Sequence, residues 1–220
     1  MKKILLFLLS LFFFNNLYGH IGHYNNFKNI EFDIYRNDKL IGTNQYFFTK
    51  KDNILKVKNI INVSVELLGV EVFKISGNGL ETYENDQLIS YSSQTIQNKK
   101  QKFVNLTFNK DEKNFHIEGS SYSGKAAADN IVGNWWNHKI LQSRSQISPI
   151  SGSLKNQKVT FLKKTKLKFK GSDYDVNHFK IVSEDKKIDF DVWYNPSKSL
   201  IMKVSYSKKG DWEYRLRSFK

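Results

Sequence analysis

The chain has no cysteine. This excludes disulfides, a thiolate nucleophile and cysteine-ligated metals. It also excludes the lipidated cysteine that follows the leader of a bacterial lipoprotein. Only two prolines occur, Pro149 and Pro196, and both fall where the pattern predicts turns, as a strand-rich chain requires. Of the 35 basic residues only four are arginine: Arg36, Arg144, Arg215 and Arg217. Phosphate and base recognition leans on arginine forks, so the formal charge of +14 does not point to nucleic acid. The lysine excess, beside abundant Asn and Ile, reads as the composition of an AT-rich genome. An acidic membrane surface stays open as a partner. No G-x-S-x-G elbow, Walker loop, H-E-x-x-H or dinucleotide fingerprint occurs. Nothing in the chain positively argues for an enzyme or a cofactor.

What the chain does have begins with Met1 to Gly19, which reads as a secretory signal peptide. Lys2 and Lys3 precede an apolar run from Ile4 to Phe14, too short to span a bilayer comfortably, and Gly19 is a plausible small residue before the cut. Export of a cysteine-free, unanchored chain places the protein most simply in a bacterial periplasm. It also makes a nucleic-acid partner less plausible. Residues 20–220 are expected to form one domain, for no Pro-, Gly- or Ser-rich linker divides them.

That domain reads as all-β. From Ile188 to Leu216 three runs alternate with period 2, as strands of an antiparallel meander do. Ile188, Phe190, Val192 and Tyr194, with Leu200, Met202, Val204 and Tyr206, are expected on an inner face. Asp189, Asp191, Ile201 and Lys203 are expected outside. Upstream, Phe27 to Asp52 reads as a hairpin turning at Asn37-Asp38, with Gly42 marking a bulge or a close backbone approach. Ile54 to Leu67 is the longest alternating run, with Leu55, Val57, Asn59, Ile61, Val63 and Val65 on one face. Gly77-Asn78-Gly79 reads as a hairpin turn, not a phosphate loop, since no helix follows. In all, 11 to 13 strands are expected in one large curved sheet, a half-barrel or barrel-like meander.

Ser120 to Gly152 interrupts the alternation. Lys125 to Val132 (KAAADNIV) has the only helix-like composition, and Asn134-Trp135-Trp136-Asn137-His138 follows it. Long insertions in a compact β-domain tend to be functional or to cover an opening.

Three segments, FDIYRNDKLIGT (32–43), NWWNHKIL (134–141) and DVWYNPSKSLIMKVSYSKKGDWEYRL (191–216), together resemble a family of exported proteobacterial proteins catalogued only as a domain of unknown function. More distantly, the order of elements is similar to periplasmic lipoprotein-carrier-like proteins, in which a curved antiparallel sheet surrounds a lipid-sized cavity. The family carries no catalytic residues to transfer.

The candidate ligand-binding residues are Trp135, Trp136, His138, Phe190, Val192, Tyr194 and Met202. The two tryptophans could line or lid an apolar cavity, each with an indole N–H to fix a polar head, or could plug the sheet as core. Asp189 and Asp191 lie about 7 Å apart on one strand face, a spacing open to acid–base chemistry. A solvated face paired with lysines, Lys203 among them, is the favoured reading. His20 and His23 could help a free α-amine chelate copper, although a third reliable ligand is missing. His116 and His178 show no partner motif.

These readings lead to a periplasmic, non-enzymatic binding protein for a lipid or other hydrophobic ligand. The alternative is a structural or assembly protein of the cell envelope, with a packed core and a protein partner. A transmembrane β-barrel is disfavoured by the lysines on both faces of Lys158 to Lys170.

Overall fold

The computed structural model describes residues 20–220, so the expected signal peptide at Met1–Gly19 lies outside the described residues. The described chain is almost entirely strand. β1 (Asn29–Arg36), β2 (Lys39–Lys51), β3 (Ile54–Leu67), β4 (Val70–Glu84), β5 (Gln87–Gln97), β6 (Lys100–Asn109), β7 (Asn114–Gly119) and β8 (Ser123–Ala127) run as one antiparallel meander. β9 (Ile131–Val132) and β10 (Ser145–Ile147) belong to the insertion. β11 (Leu154–Phe169), β12 (Ser172–Ser183), β13 (Asp189–Asn195), β14 (Leu200–Ser207) and β15 (Asp211–Phe219) form the second meander.

The two meanders join where the chain's first and last strands meet. β1 pairs with β15, from Ile30 opposite Phe219 to Arg36 opposite Trp212. The result is one 15-stranded sheet with β8 and β9 at its edges, not closed into a barrel. This is the curved antiparallel half-barrel that the periodicity implies, with more strands than the 11 to 13 expected because β8 to β10 are short and lack alternation. Among the described residues only the β9–β10 pairing is parallel.

Inward-facing residues follow the predicted alternation. Leu55, Val57, Asn59, Val63 and Val65 of β3 are buried, as are Phe32 and Ile34 of β1 and Val192 and Val204 of the second meander. Gly42 answers both expectations placed on it. The β1–β2 register slips beside it, and a Cβ at Gly42 would stand 2.1 Å from the Asn62 carbonyl oxygen.

Three expectations are corrected. Gly77-Asn78-Gly79 is not a turn: it lies inside the unbroken 15-residue β4, paired to Ile61–Asn59 on one side and Thr95–Ser93 on the other. A glycine inside a strand often permits close packing rather than a turn. A Cβ at Gly77 would meet the Thr95 hydroxyl at 2.7 Å, and one at Gly79 the Tyr91 hydroxyl at 2.8 Å. Second, Lys125 to Val132 is not helical. Its alanines complete edge strand β8 against β7, and the helical turn in the insertion falls instead on His138–Leu141, capped by the Asn137 side chain. Third, Ile201 is buried rather than outward, because a bulge shifts β13 against β14 between Trp193 and Tyr194 and sets Tyr194 opposite Ile201.

Candidate functional site between the sheet and the insertion

The insertion, residues 120–153, folds into the concave face. Two ends of the sheet frame it. One carries the turns at 37–38, 68–69, 98–99 and 208–210. The other carries the turns at 52–53, 85–86 and 170–171 together with the chain ends. Toward the second end the interior is solid. Trp136, 1% exposed, packs edge-on against Tyr24, Phe48 and Tyr83. Ile140, Val192 and Met202 complete this region as fully packed core. Tyr24, from the turn of 3-10 helix at His20–Tyr24, donates to the Ser199 carbonyl and accepts from the backbone N–H of His138.

Glu81 lies in the middle of this packed half, 1% exposed. Its carboxylate accepts from the Asn134 side-chain amide at 2.6 Å, from the Trp136 indole N–H at 2.7 Å and from the Tyr83 hydroxyl. Burial pushes the Glu81 carboxyl above its ordinary range, and the three donors only partly offset this. A buried carboxylate that accepts from three donors is a polar clamp. It fixes both side chains of the Asn134-Trp135-Trp136 stretch that reach β4. Sequence reasoning missed Glu81 because it sits in an ordinary alternating strand with no local motif. Two of its three partners, Asn134 and Trp136, are more than 50 positions away.

Toward the first end the interior opens into a cavity of about 290 Å3. The strands around it supply Asn44, Asn59, Ser93 and Thr95 as a polar floor, with Thr95 and Tyr91 seated over the Cβ-less positions Gly77 and Gly79 of β4. Asn59 donates to Asn44 at 2.5 Å, and Asn44 donates to the Tyr46 hydroxyl at 2.8 Å. That hydroxyl also accepts from the Trp135 backbone N–H at 3.2 Å. The opposite wall is apolar: Trp135 stands edge-on to Phe190 at 5.1 Å and near Tyr214 at 6.2 Å, with Ile188 and Ile150 beside them. Tyr91 and Ser93 both donate to the Pro149 carbonyl, at 2.8 and 2.7 Å, which holds the insertion against β5 as the roof. Lys155 and Lys187 line the rim, and Asp185 pairs with both. Two polar groups on lining residues have no protein hydrogen-bond partner among the described residues: the Trp135 indole N–H and the Tyr214 hydroxyl. Burial pushes the Tyr214 hydroxyl up to about 12, so it enters as a neutral donor. A wider trough of about 780 Å3, lined by Ile60, Gln94 and Phe103, lies on the outer face of β3–β6, where nothing roofs it.

Of the seven expected ligand residues, the structure brings Trp135 and Phe190 to the cavity. Trp136, His138, Val192, Tyr194 and Met202 do not line it. They lie in rows nearer the chain termini, where Trp136 and the His138–Tyr194 stack at 5.0 Å fill the interior. Adjacent tryptophans thus divide the two readings between them, Trp136 as plug and Trp135 as wall.

Outside the sheet, Asp189 and Asp191 share a lysine, as the solvated-face reading requires. That lysine is Lys180, at 2.5 and 2.8 Å, and not Lys203, which pairs with Glu213 and stacks over Trp193. His178 adds a bond to Asp191 at 2.7 Å and stacks on Trp193. Burial pushes Asp191 up, but the bonds from Lys180 and His178 outweigh it and hold the carboxyl below its ordinary range. Among the described residues no group of three His, Cys, Asp or Glu side chains could hold a metal. The copper expectation needs an N-terminal amine and a His20 imidazole that lie outside what is described.

No helix among the described residues is long and apolar enough to cross a membrane. The fold and its roofed interior define a class: a barrel-like all-β domain wrapped around an inserted segment. Residues 32–217 match the domain of unknown function DUF6134, and the chain belongs to that family. The structure is similar to the crystal structure of a beta-barrel-like protein of domain of unknown function DUF1849 from Brucella abortus. The TM-score is 0.62 at 7% identity, covering 87% of this chain and 96% of that one. No curated protein matches the chain in sequence.

Proposed function

We propose that the protein is a non-enzymatic binding module of the periplasm whose ligand is a compact amphiphile, a lipid fragment or single-chain lipid in preference to a bulky diacyl lipid. The carrying observation is the roofed cavity of about 290 Å3 between Trp135 and the polar floor of Asn44, Asn59, Ser93 and Thr95. Its volume sits at the small end of ligand pockets, which run from about 300 to 1,000 Å3. The apolar wall of Trp135, Phe190 and Ile188 suits a hydrocarbon or ring. The floor of Asn59, Ser93 and Thr95, with the unpartnered Tyr214 hydroxyl and Trp135 indole, suits a polar head. A purely apolar ligand would leave the Tyr214 hydroxyl and the Trp135 indole N–H unsatisfied.

Native mass spectrometry of delipidated protein exposed to fatty acids and lysophospholipids tests this. One bound molecule per chain is expected, and it should be lost in an Ile61→Trp variant that fills the cavity but keeps the thermal transition. Failure to retain any of these amphiphiles overturns the reading.

A further inference from the structure

The β3–β4 hairpin runs past its neighbours. Pairing to β2 stops at Val63, and pairing to β5 stops at Ile75 with a last bond from Lys74 to Asn98, so the tip around 67–72 runs past both flanking strands. Phe73 bends the base of this finger inward onto Trp212 at 5.6 Å. Its tip is apolar and bare: Leu67 is 62% exposed, Leu68 96% and Val70 63%.

The turn itself is unusual for this chain. Leu68 and Gly69 form the two-residue loop at φ of 51° and 77°. The left-handed region disfavours a leucine there and favours Asn, Asp or Gly. The comparable turns begin with Asn37, Asn85, Asn98 or Lys170. Nothing in the folded protein rewards leucine at position 68, since its side chain lies in solvent. Its use therefore points outward.

We propose that this hairpin tip inserts into the interface of an anionic lipid bilayer and docks the protein there. A tip that presents side chains all round a turn offers no flat face to a folded partner, whereas a bilayer surrounds it from every side. Charge matches as well. Lys39, Lys99, Lys100, Lys208 and Lys209 lie at the same end of the sheet, against two acids on the finger, Glu66 and Glu71, of which Glu71 is paired with Lys74 at 3.0 Å. Apolar insertion beside lysines is the combination that binds anionic membrane surfaces. The Lys187 rim of the cavity also belongs to this end. Docking there stands independently of any ligand in the cavity.

The test is co-sedimentation of the chain from His20 onward, which holds every described element, with vesicles of phosphatidylglycerol and phosphatidylcholine. The native chain is expected to sediment with them. A Leu67→Ser/Leu68→Asn variant should bind about tenfold more weakly or worse. Its thermal midpoint should be unchanged or raised, because Asn suits the left-handed turn. A native chain that stays in the supernatant overturns the proposal. So does a variant that sediments as well as the native chain, since lysines alone would then account for binding.

Discussion

The indole N–H of Trp136 donates to the Glu81 carboxylate at 2.7 Å, across 55 residues of chain. That one bond ties the insertion to the C-terminal part of β4 in a region closed to water. Replacing Glu81 separates charge from hydrogen bonding. Glu81→Leu leaves the donors of Trp136, Asn134 and Tyr83 unpaired and should cost about 3 kcal/mol or more. Glu81→Gln keeps acceptors for Trp136 and Asn134 and should be tolerated. The pH dependence follows from burial, which holds the folded carboxyl above its ordinary value of 4.5. Between that value and the raised one, the folded state keeps a proton that the unfolded chain releases. Wild-type stability should therefore fall as pH rises through this window. Urea unfolding at several pH values should show the glutamine variant gaining on wild type as pH increases.

The opposite sign is expected at Glu31. Hydrogen bonds from Arg217 hold its carboxyl below the ordinary range, against a smaller upward push from burial. Its contribution is present above the ordinary value and lost as pH falls through the lowered one. Arg217 is 41% exposed, so solvent screens the pair. Arg217→Met should cost less than about 1 kcal/mol at neutral pH, and the difference from wild type should vanish on acidification. Denaturant midpoints at pH 7 and pH 3 check this. A large, pH-independent loss would show that the arginine acts by packing instead.

Gly42 tests the backbone. A methyl group there would lie 2.1 Å from the Asn62 carbonyl and 2.7 Å from the Val63 Cα, both in the main chain of β3. Neither can step aside without breaking the β2–β3 ladder. Gly42→Ala should destabilise by about 2–3 kcal/mol. Gly69→Ala, at a site with no atom within 4 Å of the added Cβ but with positive φ, should cost only about 1 kcal/mol. Thermal unfolding of the two variants side by side separates the clash from the dihedral cost.

The faces of the long strands were legible in the sequence because period 2 survives wherever one side is buried and the other wet. Leu55, Val57 and Asn59 of β3 show it, as does Phe190 at the cavity wall. What the pattern could not show is where glycine replaces a side chain to make room. Gly77-Asn78-Gly79 has turn chemistry, and only pairing on both sides of β4 reveals it as strand interior on which Thr95 and Tyr91 pack. The Trp135–Trp136 pair drew attention correctly, but consecutive residues leave a loop in different directions. Their division between wall and plug depends on Tyr46 and Glu81, which are distant in sequence. A faint signal for the site existed in Asn44 and Asn59. These are polar residues at inward positions, which are costly unless they meet each other, as they do at 2.5 Å.

Tyr214 offers the sharpest separation of binding from folding. Its ring packs against Trp135 on the cavity wall, while its hydroxyl has no hydrogen-bond partner among the described residues. Removing that hydroxyl takes nothing from the folded protein. Tyr214→Phe should therefore keep stability within about 0.5 kcal/mol of wild type, or raise it slightly by relieving a desolvated polar group. If the hydroxyl meets a ligand's polar head, the same change should weaken binding by about tenfold, the value of one hydrogen bond. Titration of the bound amphiphile against both proteins, beside their thermal midpoints, reads the two effects separately. Equal affinities would remove Tyr214 from the site and place the head group toward Asn59 and Thr95 instead.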